Sequence, residues 1–255
     1  MKSVFDLSRE DWQAYFKSIN EPDFRVKQTW EGLHMHLYSC PEQFTAFPKS
    51  LREKLQADHM FEPLIPDREI ISRDGFTQKI AFKLVDERVI ETVLMRYEKR
   101  NTVCVSTQAG CAMGCVFCAT GQMGYKRNLS PGEIVEQVYR FARDLQKAGD
   151  KVTNIVFMGM GEPFHNYHAV MKAIDILNDP DGFNLGQRHM TISTVGLIPG
   201  IRRFAAEKRQ VNLAISLHAV EDALRTSMVP INKKYPLVDL LDACREYVHT
   251  TGRRI

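Results

Sequence analysis

The 255-residue sequence contains no hydrophobic run that approaches the roughly 20 residues of a membrane-spanning helix. Residues 1–6 reach an acidic side chain without an apolar segment, so we expect no signal peptide. Internal repeats and low-complexity tracts are also absent, apart from an alternation of strands and helices described below. These absences exclude a membrane-embedded protein, and we expect a globular protein of the cytoplasm with no membrane partner.

An excess of charge of one sign is lacking too. The net charge is only +3, which does not by itself indicate nucleic-acid binding. The basic residues do cluster, and such clusters could contact phosphates, although a solvated surface explains any one of them equally well. The clusters are Arg96, Lys99 and Arg100; Lys126 and Arg127; Arg202, Arg203, Lys208 and Arg209; Lys233 and Lys234; and Arg253 and Arg254.

The six cysteines are more informative. Without a secretory signal they indicate a reducing compartment, in which metal binding is more common than disulfides. Cys111, Cys115 and Cys118 form the pattern C-x3-C-x2-C. Three thiolates on one loop can bind three irons of a 4Fe-4S cluster and leave the fourth iron open to a small molecule. Gly110 and Gly114 allow the tight turns that direct the sulfurs inward.

Two other interpretations of this motif remain open. A structural zinc site usually has four ligands, and here the fourth would be Cys104 or a distant histidine. A disulfide is the second alternative, although cysteines three and four positions apart on a tight loop are poor partners. The spacing favours the cluster.

Helical periodicity dominates residues 1–60. Ser8, with Asp11 three residues later, predicts a capping box for a first helix. A second helix is expected from Pro22 and a third, short one from Pro48. Residues 69–97 change to the period of strands, with a turn signal at 74–75.

Glu91 stands out on the predicted strand Val89–Tyr97, because it falls on the same side as Val93 and Met95. A carboxylate among apolar side chains either pairs with a cation or has a raised pKa. The alternative is an edge strand whose face is solvated, which would make Glu91 structural. Periodicity alone favours this alternative.

From residue 101 onwards, predicted strands alternate with predicted helices. The strands are 102–107, 154–158, 189–194 and 211–217, and the helices follow a capping box at Ser130 and lie near 166–178, 197–208 and 236–249. Serial units of this kind imply parallel strands with helices outside. The expected fold class is α/β. A partial (β/α) barrel over 101–255 follows a small helical domain over 1–68 and a short antiparallel β linker over 69–100.

Polar or glycine-rich residues follow each barrel strand. The first strand leads into the cysteine loop and the second into Gly159–Pro163, while the third and fourth end at Ser193-Thr194 and Ser216-Leu217-His218. The carboxyl ends of barrel strands usually carry the active site, so we expect these segments to lie together.

S-adenosylmethionine (SAM) suits such a site, because it can bind an open iron and be cleaved by one electron to a 5′-deoxyadenosyl radical. Glu162 could pair with the ammonium of its methionine moiety, and Gly161 lets the backbone approach closely. Ser193 and Ser216 could bind its carboxylate or ribose hydroxyls, and Phe117 could pack near its adenine. Each signal is weak alone, and their value lies in the shared location.

The sequence resembles the RlmN/Cfr group of radical SAM enzymes, which methylate an adenine base of RNA. The resemblance runs from about residue 5 to the end. The matching stretches are Glu91–Val93, Cys104–Gln108, the cysteine loop, Lys126–Leu129, Phe157–Pro163, Thr191–Thr194, Ser216–His218 and Met228–Pro236. Pro163 favours the RlmN branch, because the Cfr branch has alanine there.

The resemblance implies a radical SAM partial barrel with a [4Fe-4S] cluster and SAM as cofactors. The implied cluster ligands are Cys111, Cys115 and Cys118, and the implied SAM-binding residues are Gly161, Glu162, Ser193, Ser216, Leu217 and His218. The implied reaction methylates C2 of an adenosine in 23S rRNA and of an adenosine in the anticodon loop of tRNA. The implied electron donor resembles flavodoxin, and the helical domain resembles an accessory RNA-binding domain.

In that family one SAM methylates a cysteine near the C-terminus, and a second SAM generates the radical that takes hydrogen from the methyl group. Glu91 aligns with the proton acceptor, and Cys104 aligns with the cysteine that forms a disulfide with the methyl carrier to release product. The resemblance therefore implies catalytic roles for both residues.

One difference from the family concerns the C-terminal region. Residues 253–255 resemble the opening of a fifth strand, whereas the family continues with further strands, a SAM-binding asparagine and the methyl-carrying cysteine. Cys244 lies on a predicted helix, where we expect it to pack. We therefore expect SAM cleavage without RNA methylation from these residues. Cfr-type methylation at C8 and a non-catalytic RNA-binding remnant remain the alternatives, with a zinc-stabilised module as a third.

Overall fold

The N-terminal region is helical, as its periodicity predicts. The computed structural model describes all residues from 1 to 255. The first elements are β1 (Lys2–Ser3), α1 (Arg9–Ser18), α2 (Phe24–His34), α3 (Lys49–Asp58) and β2 (His59–Met60), and β1 pairs with β2 in parallel. The capping box is confirmed, because the Asp11 N–H donates to Ser8 Oγ at 3.2 Å and the Ser8 N–H donates to Asp11 Oδ2 at 2.8 Å.

Seven strands form one mixed sheet, and two short strands form a separate pair. The strands are β3 (Leu64–Ile71), β4 (Thr77–Leu84), β5 (Val89–Tyr97), β6 (Arg100–Cys104), β7 (Gln108–Ala109), β8 (Arg127–Asn128), β9 (Asn154–Phe157), β10 (Met190–Thr194) and β11 (Asn212–Ile215). The sheet order is β11-β10-β9-β6-β5-β4-β3. The four strands β6, β9, β10 and β11 are parallel, and β3 to β6 form an antiparallel meander.

The remaining helices follow the strands in the order expected for serial β-α units. They are α4 (Ala119–Gln122), α5 (Pro131–Lys147), α6 (Tyr167–Asn178), α7 (Ile198–Glu207), α8 (Asp222–Met228) and α9 (Leu237–Thr251). The four long helices were expected from their periodicity, and the capping box at Ser130 is present. The short helices α4 and α8 were not expected. None of the nine helices combines the length and the apolar composition that crossing a membrane requires.

One face of the sheet is buried and the other is partly open. Ile80, Phe82 and Leu84 are almost fully buried, whereas Ala81 and Lys83 between them are half-buried. This alternation is the period of a strand that packs on one side only. The antiparallel meander and the parallel strands form one continuous sheet with one buried face, because β5 pairs directly with β6. The boundaries that we expect at residues 68 and 100 stay a prediction.

The N-terminal helices pack onto the barrel helices through polar as well as apolar contacts. Nδ1 of His34 lies 2.8 Å from the hydroxyl of Tyr139 on α5, and both side chains are buried. Arg9 Nη2 donates to both carboxylate oxygens of Asp179, at 3.0 and 2.9 Å. These contacts fix the helical region against α5 and against the residue that follows α6.

The C-terminal residues differ from expectation. Residues 252–255 form no strand, so the expected opening of a fifth strand is wrong for this structure. Arg253 Nη2 instead donates to Asn212 Oδ1 at 2.8 Å, which holds this segment beside β11 without a backbone ladder. Cys244 packs against the core from α9, as expected.

Candidate active site

A cavity of about 220 Å³ lies at the carboxyl ends of β9, β10 and β11. It is lined by residues from every segment that the sequence places at this rim. They are Cys111, Met113, Cys115, Phe117, Cys118, Thr120, Phe157, Met158, Gly159, Gly161, Glu162, Pro163, Ser193, Val195, Ser216 and His218. The prediction that the cysteine loop, the glycine-rich loop and the strand-end residues lie together is therefore confirmed.

The cysteine loop is held in a tight conformation. Gly110 has φ +74°, and a Cβ at this position would lie 1.9 Å from the carbonyl oxygen of Gly124, so only glycine fits. The Val116 N–H donates to the carbonyl of Met228 at 3.0 Å, which ties the loop to the end of α8. These contacts fix the backbone that carries all three cysteines.

The three thiols are free and face a shared cavity. Burial raises the pKa of Cys111 to about 11 and also raises that of Cys115, so without a bound cation both are thiols at neutral pH. No three His, Cys, Asp or Glu side chains are placed to hold a single metal ion. Zinc draws its ligands to within about 2.3 Å of one centre, whereas a 4Fe-4S cluster takes one sulfur at each iron. Three thiols around open space therefore fit the cluster better than zinc.

Glu162 is the buried carboxylate of the cavity, with 4% of its surface exposed. Its Oε1 accepts from the Phe164 N–H at 3.1 Å and its Oε2 accepts from the Val195 N–H at 2.9 Å. Burial raises its pKa to about 7, although these hydrogen bonds act in the opposite direction. Its own N–H donates to Gln108 Oε1 at 2.8 Å. Glu162 thus joins the loops that follow β9 and β10.

The other predicted rim residues form two contacts, one between hydroxyls and one between rings. The hydroxyls of Ser193 and Ser216 are 2.9 Å apart, so the two side chains present one polar edge to the cavity. The ring of Phe117 lies 4.6 Å from that of His218, centroid to centroid. Leu217 does not line the cavity. Its carbonyl oxygen accepts instead from Arg225 Nε at 3.1 Å.

Glu91 and Cys104 lie outside the cavity lining, on the open face of the sheet. Glu91 pairs with Lys79 at 2.8 Å, so the expected cation partner is present. The alternative is confirmed in part: the Glu91 side chain is 47% exposed on a solvated face, but β5 is an interior strand and not an edge strand. Burial raises the pKa of Cys104 to about 11. The catalytic roles of Glu91 and Cys104 stay predictions.

Sequence patterns did not identify several residues that shape the site. Met113, Thr120 and Val195 line the cavity, and the fully buried Gln108 positions the Glu162 loop. The fully buried Arg225 donates to the carbonyl of Val195, which packs on Cys115. Their residue types carry no distinct chemical motif, and only their contacts across the fold reveal them.

The family of the chain follows from comparison with known proteins. Residues 105–254 match the radical SAM superfamily, and residues 2–60 match the ribosomal RNA large subunit methyltransferase N-terminal domain. The "Probable dual-specificity RNA methyltransferase RlmN" of Chloroflexus aurantiacus is 48% identical over 259 residues, which cover 100% of this chain and 69% of that protein. The "Dual-specificity RNA methyltransferase RlmN 1" of Myxococcus xanthus is 45% identical over 253 residues, which cover 99% and 70%.

A crystal structure of a radical SAM methyltransferase from Sphaerobacter thermophilus matches with a TM-score of 0.96 and 47% identity, over 100% of this chain and 74% of that chain. The α/β partial-barrel fold is thereby confirmed. A [4Fe-4S] cluster and SAM are the cofactors of this superfamily, and the thiols and rim residues of the cavity fit both. The chain belongs to the RlmN family of radical SAM methyltransferases.

Proposed function

We propose that this chain generates a radical from SAM for methylation of C2 of an RNA adenosine. The observation that carries the proposal is that three thiols, a buried carboxylate and two hydroxyls share one cavity of about 220 Å³ at the carboxyl ends of the strands. A catalytic site at this rim is typical of barrels built from parallel strands.

In this proposal Cys111, Cys115 and Cys118 hold the cluster. A cluster held by these thiolates would supply the one electron that cleavage of the SAM sulfonium requires. The chain itself binds and orients SAM. The Ser193 and Ser216 hydroxyls offer two adjacent hydrogen-bonding groups for its carboxylate or ribose.

Glu162 and the rings at the cavity opening complete the proposed SAM site. Glu162 lines the cavity, and its ionised carboxylate would attract the ammonium of the methionine moiety. The rings of Phe117 and His218 offer apolar faces to an adenine. Gly161 has φ +100°, and its missing side chain leaves the loop close to Gln108.

The proposed RNA substrates are 23S rRNA and the anticodon loop of tRNA. The Myxococcus relative is named a dual-specificity RNA methyltransferase. Residues 2–60 match a domain named for ribosomal RNA methyltransferases. We infer that the helical region contributes to RNA binding and that a flavodoxin-like protein supplies the electron. Glu91, held beside Lys79, is the proposed acceptor of the C2 proton, and Cys104 is the proposed redox partner of the methyl carrier.

The chain spans about 70% of the length of these curated relatives. The methyl-carrying cysteine of the family is expected in a C-terminal segment that these 255 residues do not include. We therefore propose SAM cleavage as the activity of this chain by itself, and base methylation as the activity of the protein with that segment. Mass spectrometry of the modified adenosine would then separate methylation at C2 from methylation at C8.

Anaerobic reconstitution tests the radical-generating function. The chain is loaded with iron and sulfide, given SAM and dithionite, and the 5′-deoxyadenosine is quantified. Cys115→Ser should lose the cluster and the product, whereas Cys244→Ser, whose thiol packs on α9, should retain both. An iron-loaded chain that forms no 5′-deoxyadenosine would contradict the proposal and favour a non-catalytic RNA-binding role.

Equilibrium binding of SAM to the loaded chain tests the polar edge. Loss of one hydrogen bond is worth about 0.5–1.5 kcal/mol, so Ser193→Ala and Ser216→Ala should each raise the Kd about two- to tenfold. Ser227→Ala is the control, because its hydroxyl is exposed on α8 and donates to the carbonyl of Leu224. Equal Kd values in all three variants and the wild type would remove both serines from the SAM site.

A further inference from the structure

Arg225, on α8, is a fully buried arginine whose hydrogen-bond acceptors include no carboxylate. Its guanidinium makes three hydrogen bonds, and all three acceptors are neutral oxygens. Nε donates to the Leu217 carbonyl at 3.1 Å, Nη2 to the Val195 carbonyl at 2.5 Å and Nη1 to Asn232 Oδ1 at 2.5 Å. A buried charge is costly unless an opposite charge lies nearby. We therefore looked near the Arg225 guanidinium for a negative charge that could balance it.

The acidic groups nearest to Arg225 compensate it only indirectly. Asp222 is exposed and reaches Arg225 through Asn232, whose Nδ2 donates to Asp222 Oδ1 at 2.8 Å. Glu162 is separated from Arg225 by the Val195 peptide, because its carboxylate accepts from the Val195 N–H while Arg225 donates to the Val195 carbonyl. Neither carboxylate touches the guanidinium.

The cysteine loop packs directly against this arginine's surroundings. Cys115 belongs to a small buried cluster with Val195 and Val229. Both valines bond Arg225, because the Val195 carbonyl accepts from its guanidinium and the Val229 N–H donates to its carbonyl at 2.7 Å. The Val116 N–H donates to the carbonyl of Met228, one helical turn after Arg225 on α8. Burial lowers the pKa of Arg225, while the charges of Asp222 and of a Cys115 thiolate oppose that change. Arg225 donates to the Val195 carbonyl and Val195 packs on Cys115, so Arg225 lies close to the proposed cluster.

A cluster held by three thiolates is an anionic group, and its reduction adds one further negative charge. The reduction potential of such a cluster depends on net charge, hydrogen bonds and exposure nearby. A fixed buried cation favours the more negative, reduced form because the intervening protein screens it poorly. Arg225 is thus a buried cation with no carboxylate in contact, and it lies beside the proposed site of an anionic cluster.

We propose that Arg225 is the buried counter-charge of the cluster bound by Cys111, Cys115 and Cys118, and that it favours the reduced state of that cluster. Arg225 acts as a positioning residue, since its bonds to Leu217 and Val195 also fix the two loops that carry the polar rim. This inference rests on the cluster site of the proposed function.

The reduction potential of the reconstituted cluster tests the inference, followed by electron paramagnetic resonance during an anaerobic redox titration. Arg225→Met and Arg225→Gln remove the charge, and Arg225→Lys keeps it while losing most of the hydrogen bonds. In the two neutral variants, the equilibrium constant for reduction of the cluster should be at least tenfold smaller. For one electron this is a shift of the reduction potential of about 59 mV to more negative values. Arg225→Lys should stay near the wild-type potential.

Arg25→Met is the matched control. Arg25 is largely buried on α2, where it donates to Gln28 Oε1 at 2.9 Å and to the Ala46 carbonyl at 3.2 Å. It resembles Arg225 in its burial and in these neutral acceptors, but it also pairs with Glu21 at 3.4 Å and lies on a different helix. Its loss should leave the potential unchanged. Iron and sulfide analysis with circular dichroism accompanies every variant, so that a change in potential is not confused with loss of fold.

Two results would support the proposal: neutral variants with a lower potential, or neutral variants that retain no cluster while Arg225→Lys retains it. Two results would overturn it: neutral variants with the wild-type potential, or equal loss of the cluster in all three variants, which would show a requirement for hydrogen bonds rather than charge. A wild-type chain that binds no iron would overturn the cluster site itself, and is thereby distinguishable from a failure of Arg225 alone.

Discussion

The carboxylate of Glu162 accepts a hydrogen bond from the backbone N–H of Val195 at 2.9 Å. This contact spans the gap between the loop after β9 and the loop after β10, both of which line the cavity. Arg225 donates to the carbonyl of Val195 at 2.5 Å, so Val195 is held at both its N–H and its carbonyl. The shape of the rim therefore depends on buried polar groups as well as on the strands that lead to it.

The pH dependence of stability should report the burial of Glu162. Its pKa is raised from 4.5 to about 7 in the folded state, so the folded chain holds the proton more tightly than the unfolded chain does. The contribution of Glu162 to stability should be highest below pH 4.5 and should fall as the pH rises to 7. The total change should be on the order of 3 kcal/mol.

Urea unfolding of the metal-free chain at several pH values measures this change, with Glu162→Gln as the non-titrating reference. The wild-type minus variant difference in unfolding free energy should decrease between pH 4.5 and 7 and then level off. Glu246→Gln, on the exposed side of α9, should show no comparable decrease. A difference that is flat with pH would mean that the hydrogen bonds to Glu162 outweigh its burial.

His34 should produce the opposite slope. Burial lowers its pKa from 6.5 to about 3, so the unfolded chain binds a proton that the folded chain rejects. Stability should therefore fall as the pH drops below 6.5, by roughly 1.4 kcal/mol per pH unit. His34→Asn, which can still bond Tyr139, should flatten this slope, and His249→Asn at an exposed position should not. An unchanged slope in His34→Asn would refute the assignment.

Gly161→Ala should disrupt the cavity more than a comparable change elsewhere. Gly161 has φ +100°, and a Cβ there would lie 2.5 Å from Cβ of Gln108. Gly75→Ala is the matched control, because Gly75 has φ +74° but no atom within 4 Å of its would-be Cβ. Both changes carry backbone strain of about 1 kcal/mol, and only Gly161→Ala adds a steric clash. Thermal unfolding and SAM binding should both be impaired for Gly161→Ala, and equal effects in the two variants would argue against a packing requirement.

The N-terminal cap of α5 should contribute to the stability of the whole chain. Ser130 Oγ accepts from the Glu133 N–H at 3.1 Å, and Glu133 also pairs with Arg127 at 2.7 Å. Ser130→Ala should cost about 1 kcal/mol of unfolding free energy, because one backbone donor of the helix loses its partner. Urea unfolding measures the loss. Ser227→Ala, inside α8 and exposed, should cost less than half as much, and a reversed order would contradict the cap.

Local signals in the sequence were sufficient for much of the fold. Ser8 and Ser130 mark the starts of α1 and α5, because a hydroxyl that bonds the third residue of a helix needs only neighbouring residues. Short helix α8 was missed, since no side chain caps its first turn and its one buried residue, Arg225, is held in part by the distant Val195 carbonyl. Glu91 shows the same limit. Its neighbours along β5 cannot reveal Lys79, which approaches from β4.

The sequence by itself determined the chemistry of the site: the spacing of Cys111, Cys115 and Cys118, and polar residues at the end of each barrel strand. These features are readable because parallel strands bring their carboxyl ends to one edge in any such fold. Only the tertiary structure decided which groups face one another across that edge. Glu162 accepts from the Val195 N–H, and the buried Arg225 donates to the Val195 carbonyl. Such pairings depend on how loops far apart in the chain pack, and single-sequence patterns do not encode that packing.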